Sequence, residues 1–428
     1  MLLQPFHELA ALPAPEILRA RLKGAEEAET RTLEALLSLS DTDRALNWFP
    51  SGAGLLVVSA AGDQQPSRLH LLEPQTLAFA RGAGRAHTLG SLPPYTAWVS
   101  APAVTPAGVL VATAETATII VGPGLTATPK IRGIPPMAGE AFAATASSGD
   151  GRFVVALRQG DRILLATGSG VGPWHIGEPL PPEIKVDRAI DMGAVQGGPG
   201  FWLSDGHGVL FWEGQPDTPP VRYVPLPTEL GRKIPVNLRA RQEEHPLSPL
   251  AIRFSAHLPA TLFLPVLRKE PALAILPLGG ASGQIITLPI TDRRAVLLPD
   301  PWTGGALLCH GSAVESYAAD GQRVWSDQRT DDSNFVTPLV FGENLLFIVA
   351  RTSVSDQSSG QEAQLVIWQR KRNSRSELSV RRPLAGQIAR AFPPLVIDRK
   401  LVFATRDGSG MRVRLVDLPG EASTEGAA

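Results

Sequence analysis

Three segments of the chain repeat one eleven-residue pattern without a gap, and this recurrence limits the possible folds more than any single residue does. They run from Pro102-Ala103-Val104 to Val109-Leu110-Val111-Ala112, from Pro338-Leu339-Val340 to Leu345-Leu346-Phe347-Ile348, and from Pro394-Leu395-Val396 to Leu401-Val402-Phe403-Ala404. Each reads as a short apolar strand that opens after proline, a tight turn of about three residues and a second apolar strand in the same register. Recurrence of this kind marks a repeat architecture, in which a supersecondary unit can bury its apolar face only against neighbouring copies.

The second strand of the pattern returns in looser form as Leu55-Leu56-Val57-Val58, Phe153-Val154-Val155-Ala156, Phe201-Trp202-Leu203, Leu262-Phe263-Leu264 and Ala306-Leu307-Leu308, eight occurrences in all with the three above. Their spacing of roughly 40 to 60 residues matches four-stranded blades of a β-propeller. The chain is expected to be all-β, a propeller over residues 45–418 with eight blades, seven being the alternative. A count of seven would arise in the unit over 229–290, which is long and has no distinct first strand. At 428 residues the chain exceeds one ordinary core, but each unit of a repeat fold packs only on its neighbours. The 41 glycines and 39 prolines are spread along it, which means many turns.

Residues 1–44 differ in composition. They are rich in Leu, Ala, Glu and Arg, and no proline falls between Pro15 and Pro50. This is a helical segment of one or two helices, with Pro15 suited to the first turn. Leu18, Leu22, Ala25, Leu33 and Leu36 lie near one face at helical spacing. That stripe is either a cap on the propeller or a docking face that places Leu18, Leu22, Leu33 and Leu36 against a partner. At the other end the last unit lacks a fourth strand, and Ala45 to Phe49 is expected to complete it, closing the ring and removing an exposed edge. Residues 419–428 read as a disordered tail.

The stretch Tyr317-Ala318-Ala319-Asp320-Gly321-Gln322-Arg323-Val324-Trp325 resembles the repeat of quinoprotein-like propellers. In that repeat a third strand ends in an acidic turn with Gly, and the fourth strand carries Trp four residues later. The resemblance covers three or four of the units and implies the propeller fold. Quinoprotein dehydrogenases hold their quinone against an adjacent cysteine pair and a calcium ion, and a single cysteine, Cys309, cannot supply the pair. No secretory signal or lipoprotein cysteine is present, so the resemblance implies an intracellular, non-catalytic relative. Neither the Trp-Asp dipeptide of WD repeats nor the spacing of a sialidase Asp box occurs.

Other chemistry leaves few traces. Histidines at 7, 70, 87, 175, 207, 245, 257 and 310 are isolated from one another, so no metal site is expected. The Gly-rich stretches at 197–200 and 279–283 lack the lysine and helix of a phosphate loop, and no Gly-x-Ser-x-Gly elbow exists. Thus no cofactor and no small-molecule substrate are inferred. Cys309 sits in an apolar strand and reads as a small hydrophobe. With 40 basic and 41 acidic side chains there is no global field to gather nucleic acid or anionic lipid. No apolar run is long enough to span a bilayer, and a cytoplasmic location is expected.

One local cluster breaks the balance: Arg370, Lys371, Arg372, Arg375, Arg381, Arg382 and Arg390, with only Glu377 among them. It is either a solvated hairpin that blunts a blade edge or a landing patch for an acidic protein surface, and it lacks the aromatics that would stack nucleic-acid bases. The polar stretch Thr352 to Gly360 lies just before it. Of the eight tryptophans, Trp174 and Trp302 fall in turns and are the expected exposed hot spots. The leading reading is a non-enzymatic bacterial scaffold that binds protein partners through the N-terminal segment and the basic blade. The alternatives are a hydrolase or lyase with carboxylates gathered on the central channel, and a nucleic-acid contact through the arginines.

Overall fold

A computed structural model describes residues 31–418 with interruptions, the longer ones being 73–85, 129–139, 213–221, 226–249, 288–295, 352–363 and 379–386. The described residues form eight antiparallel meanders, here sheets I to VIII, in chain order. Their first strands are Arg44–Ser51, Ala103–Thr105, Glu140–Ser147, Asp191–Gln196, Leu250–Ile252, Val296–Pro299 and Asn334–Phe341, with sheet VIII opening on the split pair Gln387–Ile388 and Leu395–Ile397. The first strands of sheets I to VII neighbour one another in sequence, I against II through to VI against VII. In sheets IV and V they pair directly as parallel strands, Val195 with Ala251 and Gln196 with Ile252. First strands that face one axis while the later strands of each sheet lie outward make an all-β propeller.

The repeat of the sequence is a repeat of register. In all three copies the residue after the proline pairs seven positions on: Ala103 with Leu110, Leu339 with Leu346, Leu395 with Val402. The next residue pairs five positions on: Val104 with Val109, Val340 with Leu345, Val396 with Leu401. The proline cannot donate to a ladder: in sheets II and VIII the pairing begins just after it, and in sheet VII it falls at the break in register between Val336 and Leu339. All eight apolar segments singled out in the sequence are the second strands of their sheets. Those of sheets I to III are buried on both faces, as in Gly54–Ala60, which is why they read as continuous apolar runs instead of alternating ones.

Apolar clusters fill the seams between sheets. Trp98 and Ile120 of sheet II meet Leu56 and Val58 of sheet I, Phe153 and Trp174 of sheet III meet Leu110 and Ile119 of sheet II, and Trp212 of sheet IV meets Ala144 and Leu165 of sheet III. One cluster joins the two ends of the chain, with Trp48, Leu55 and Val57 of sheet I against Phe392, Val402 and Leu415 of sheet VIII. Each side chain of this size, fully buried, contributes about 1.5–3 kcal/mol.

Ring closure corrects one expectation. The fourth strand of sheet VIII is Arg31–Thr32, which pairs with Val413 and Arg412, whereas Ala45 to Phe49 belong to the first strand of sheet I. A five-residue helix, Leu33–Leu37, then carries the chain inward. Of the helical segment expected over 1–44, residues 1–30 lie outside the described residues, as does the expected tail over 419–428.

Candidate interaction surface

The basic cluster is built on sheet VII. Its third strand, Gln364–Lys371, and fourth strand, Ser374–Leu378, form a hairpin with two residues between them. The register sets Arg370 directly opposite Arg375 and Lys371 opposite Ser374. Glu377, the one carboxylate of the segment, is opposite Trp368 and not opposite a cation. Like charges at opposed positions of an antiparallel pair cost up to about 1 kcal/mol. The register thus opposes two arginines, with no carboxylate opposite either. Arg372, Arg381, Arg382, Arg390 and the stretch 352–360 lie outside the described residues.

Several buried polar groups elsewhere are held by internal partners. His70, on the third strand of sheet I, accepts or donates through Nε2 to Ser59 Oγ at 2.7 Å and through Nδ1 to Thr88 Oγ1 at 3.1 Å. Burial, then the Arg68 cation, hold its pKa down at about 4, with Asp43 acting the other way. Ser59 is itself fully buried, so this is a core histidine held by two hydroxyls. Asp300 accepts from Ser316 Oγ at 2.5 Å, Thr303 Oγ1 at 2.7 Å and the Trp302 amide at 2.8 Å, which shapes the turn between the first two strands of sheet VI. Glu315 accepts from the Tyr317 hydroxyl and from Arg323, both at 2.9 Å. Burial and that carboxylate push the Tyr317 hydroxyl well above its usual range. Burial, then Asp300, push the Cys309 thiol up in the same way. Cys309 is thus an unreactive small apolar residue, as its strand suggested.

Among the described residues no group of three or more His, Cys, Asp or Glu could hold a metal ion. No described helix is long and apolar enough to cross a membrane. The first strands contain two carboxylates among the described residues, Glu140 and Asp191.

The remaining candidate residues separate. Leu33 is fully buried in the seam between sheets VIII and I, and Leu36, partly buried, packs against the same cluster. Leu18 and Leu22 lie outside the described residues. Trp174 is a correction: it is 8% exposed and stacks on Phe153 with centroids 6.4 Å apart. Its ring lies over Gly168, where a Cβ would come within 2.7 Å of the indole. Trp302 stays half-buried, its ring 5.5 Å from that of Trp325. The glycine that makes room for an aromatic is a signal the sequence does offer, since Gly193 lies under Trp202 in the same manner.

No protein-family profile matches the chain, and no curated protein is similar to it. Solved structures similar in fold include the dihydro-heme d1 dehydrogenase NirN in complex with DHE, at TM-score 0.48 and 12% identity, covering 95% of this chain and 80% of that one. The WD40 domain of SCAP from fission yeast gives TM-score 0.44 and 11% identity over 92% of this chain and 98% of that one. The propeller domain of the Trilobed protease from Pyrococcus furiosus, described as an open velcro topology, gives TM-score 0.40 and 10% identity over 88% and 95%. At these values the likenesses add nothing to what the sheets and seams of the chain itself establish.

Proposed function

We propose that the chain is a non-enzymatic propeller platform that binds an acidic protein partner inside a larger cytoplasmic, bacterial assembly. One observation carries this reading: the sheet VII hairpin sets Arg370 against Arg375 with no carboxylate opposite either. A fold gains nothing from that repulsion, whereas an anionic partner surface does. Descent from quinoprotein-like propellers, with their chemistry lost, is part of the proposal. It is supported by the turn at Gly321, whose φ is 82°, and by Trp325 on the strand that follows. Eight blades, closed by Arg31–Thr32, complete it.

The test is affinity capture from the native host with three forms: the full chain, a chain lacking residues 1–30, and the variant R370S/R372S/R381S/R382S. Deletion stops at residue 30 so that the closing strand survives. Partners held by the full chain and lost in the arginine variant are expected. The same partners retained by that variant would remove the hairpin as the surface.

A further inference from the structure

We infer that the closing latch of the ring, residues 31–37, exchanges between copies: a second copy of this chain seats its own latch in the seam between sheets VIII and I, and two rings are joined as a swapped dimer. The inference goes beyond the platform reading and does not depend on it.

The latch is a discrete piece. Arg31–Thr32 pairs along the edge of Gly410–Asp417, and the helix Leu33–Leu37 that follows buries Leu33 and Leu37 in the seam, at 0% and 5% exposure. The chain becomes fixed again at Asp43, which is buried, accepts from Arg68 Nη1 at 2.9 Å and leads directly into the first strand of sheet I. Between these two anchors lies the loop 38–42, in which Ser38, Ser40, Asp41 and Thr42 are exposed and Leu39 is partly buried against the seam. Every copy carries the same latch, so a latch seated in a second ring makes the same contacts, and the loop decides which arrangement is favoured.

In the closed form that loop is strained. The helix runs into Ser38 at φ 52°, a left-handed conformation at a position where helices commonly place glycine. The chain then folds back on itself, the Asp43 amide donating to the Ser40 carbonyl at 3.0 Å. A short connection under such strain invites exchange, because extension releases it. Leu39 acts the other way, since its packing is given up when the loop extends, so the swapped form rises with protein concentration and does not replace the monomer. Fully extended, the five loop residues reach about 17 Å, which brings a neighbouring ring within range of the latch. A ring without its latch is still joined at this seam, by Trp48, Leu55 and Val57 against Phe392, Val402 and Leu415.

The test uses two full-length variants, T32C and R412C, altered at positions that are opposed in the latch pairing. Cys309 is buried and its thiol unreactive, so the introduced thiols report alone. The two are mixed at high concentration, warmed briefly, diluted and treated with a short bis-maleimide. A cross-linked dimer is expected from the mixture and from neither variant alone, and T32C/R412C cross-linked within one chain beforehand is expected to form none. Introduced into both variants, Ser38→Gly removes the strain and should weaken dimerisation about tenfold, whereas Ser38→Val, ill suited to a left-handed conformation, should strengthen it about tenfold. A mixture that yields no more dimer than T32C alone would overturn the exchange, and so would a yield indifferent to residue 38. A mixture that stays monomeric while the thiol at position 32 is freely alkylated would show a latch that opens for another occupant, which overturns it as well.

Discussion

The rings of Trp48 and Phe392 meet edge to face with centroids 5.1 Å apart, across the seam where the first sheet meets the last. Both side chains are buried, at 0% and 1% exposure. Truncating either to alanine leaves a cavity where the ring closes, and Phe392→Ala should cost about 3–5 kcal/mol. Urea unfolding would read this as a lower midpoint. A loss below 1 kcal/mol would mean that this seam is not a principal contact.

Gly193 is directly opposite Trp202, and a Cβ there would come within 2.7 Å of the indole nitrogen. The indole is itself buried and has no free space to swing into. Gly193→Ala should destabilise by about 1–3 kcal/mol through overpacking, and G193A combined with W202L should recover part of it. Thermal melts of the single and double variants decide the matter, and a neutral single variant would contradict the stated geometry.

His70 makes stability depend on pH with a definite sign. Its native pKa is lowered to about 4 from an ordinary 6.5, so above 6.5 both folded and unfolded chains hold it neutral. As pH falls from about 6.5 to about 4, the unfolded chain binds a proton that the native one refuses, and stability drops. Below about 4 this contribution stops changing. Chemical denaturation at pH 7, 5.5 and 4.5 should show a steeper loss for the wild type than for His70→Gln, and parallel slopes would sink the assignment.

Arg375→Glu would turn the repulsive pair with Arg370 into an attractive one. The variant should gain up to about 1 kcal/mol of stability while losing the acidic partner. Opposite signs in melting temperature and in capture yield are the signature of a surface kept for binding. A variant both less stable and equally well bound would argue for a structural role.

Elements that depend on local pattern were legible in the sequence. Second strands such as Gly54–Ala60 and Gly108–Ala112 are buried on both faces and so appear as apolar runs, and the proline-led hairpins share one register. Elements set by distant partners were not. Arg31–Thr32 is two residues long, sits in a stretch of helical composition, and is a strand only because the edge at Arg412 and Val413 needs one. The first strand of sheet V has three residues, Leu250–Ile252, too few to show a period. The first strand of sheet VIII is interrupted between Ile388 and Leu395 by a loop that inserts Phe392 into the seam. Trp174 looked exposed because it follows Pro173 in a turn, and only the missing Cβ of Gly168 lets it fold inward. For the basic hairpin, the sequence shows the charge but not that Arg370 and Arg375 are opposed, which is a property of register.

Sheet VIII is assembled from both ends of the chain, and this has a consequence during synthesis. Arg31 leaves the ribosome early, while the strand it must pair with, Gly410–Asp417, is among the last to appear. At about 5–20 residues per second, on the order of 20 to 80 seconds pass before the ring can close. Throughout that interval the face of sheet I that carries Trp48, Leu55 and Val57 has no neighbour. The nascent protein is therefore an open arc with a greasy end, and any premature stop upstream of Gly410 would leave it permanently in that state, a substrate for chaperones and proteases.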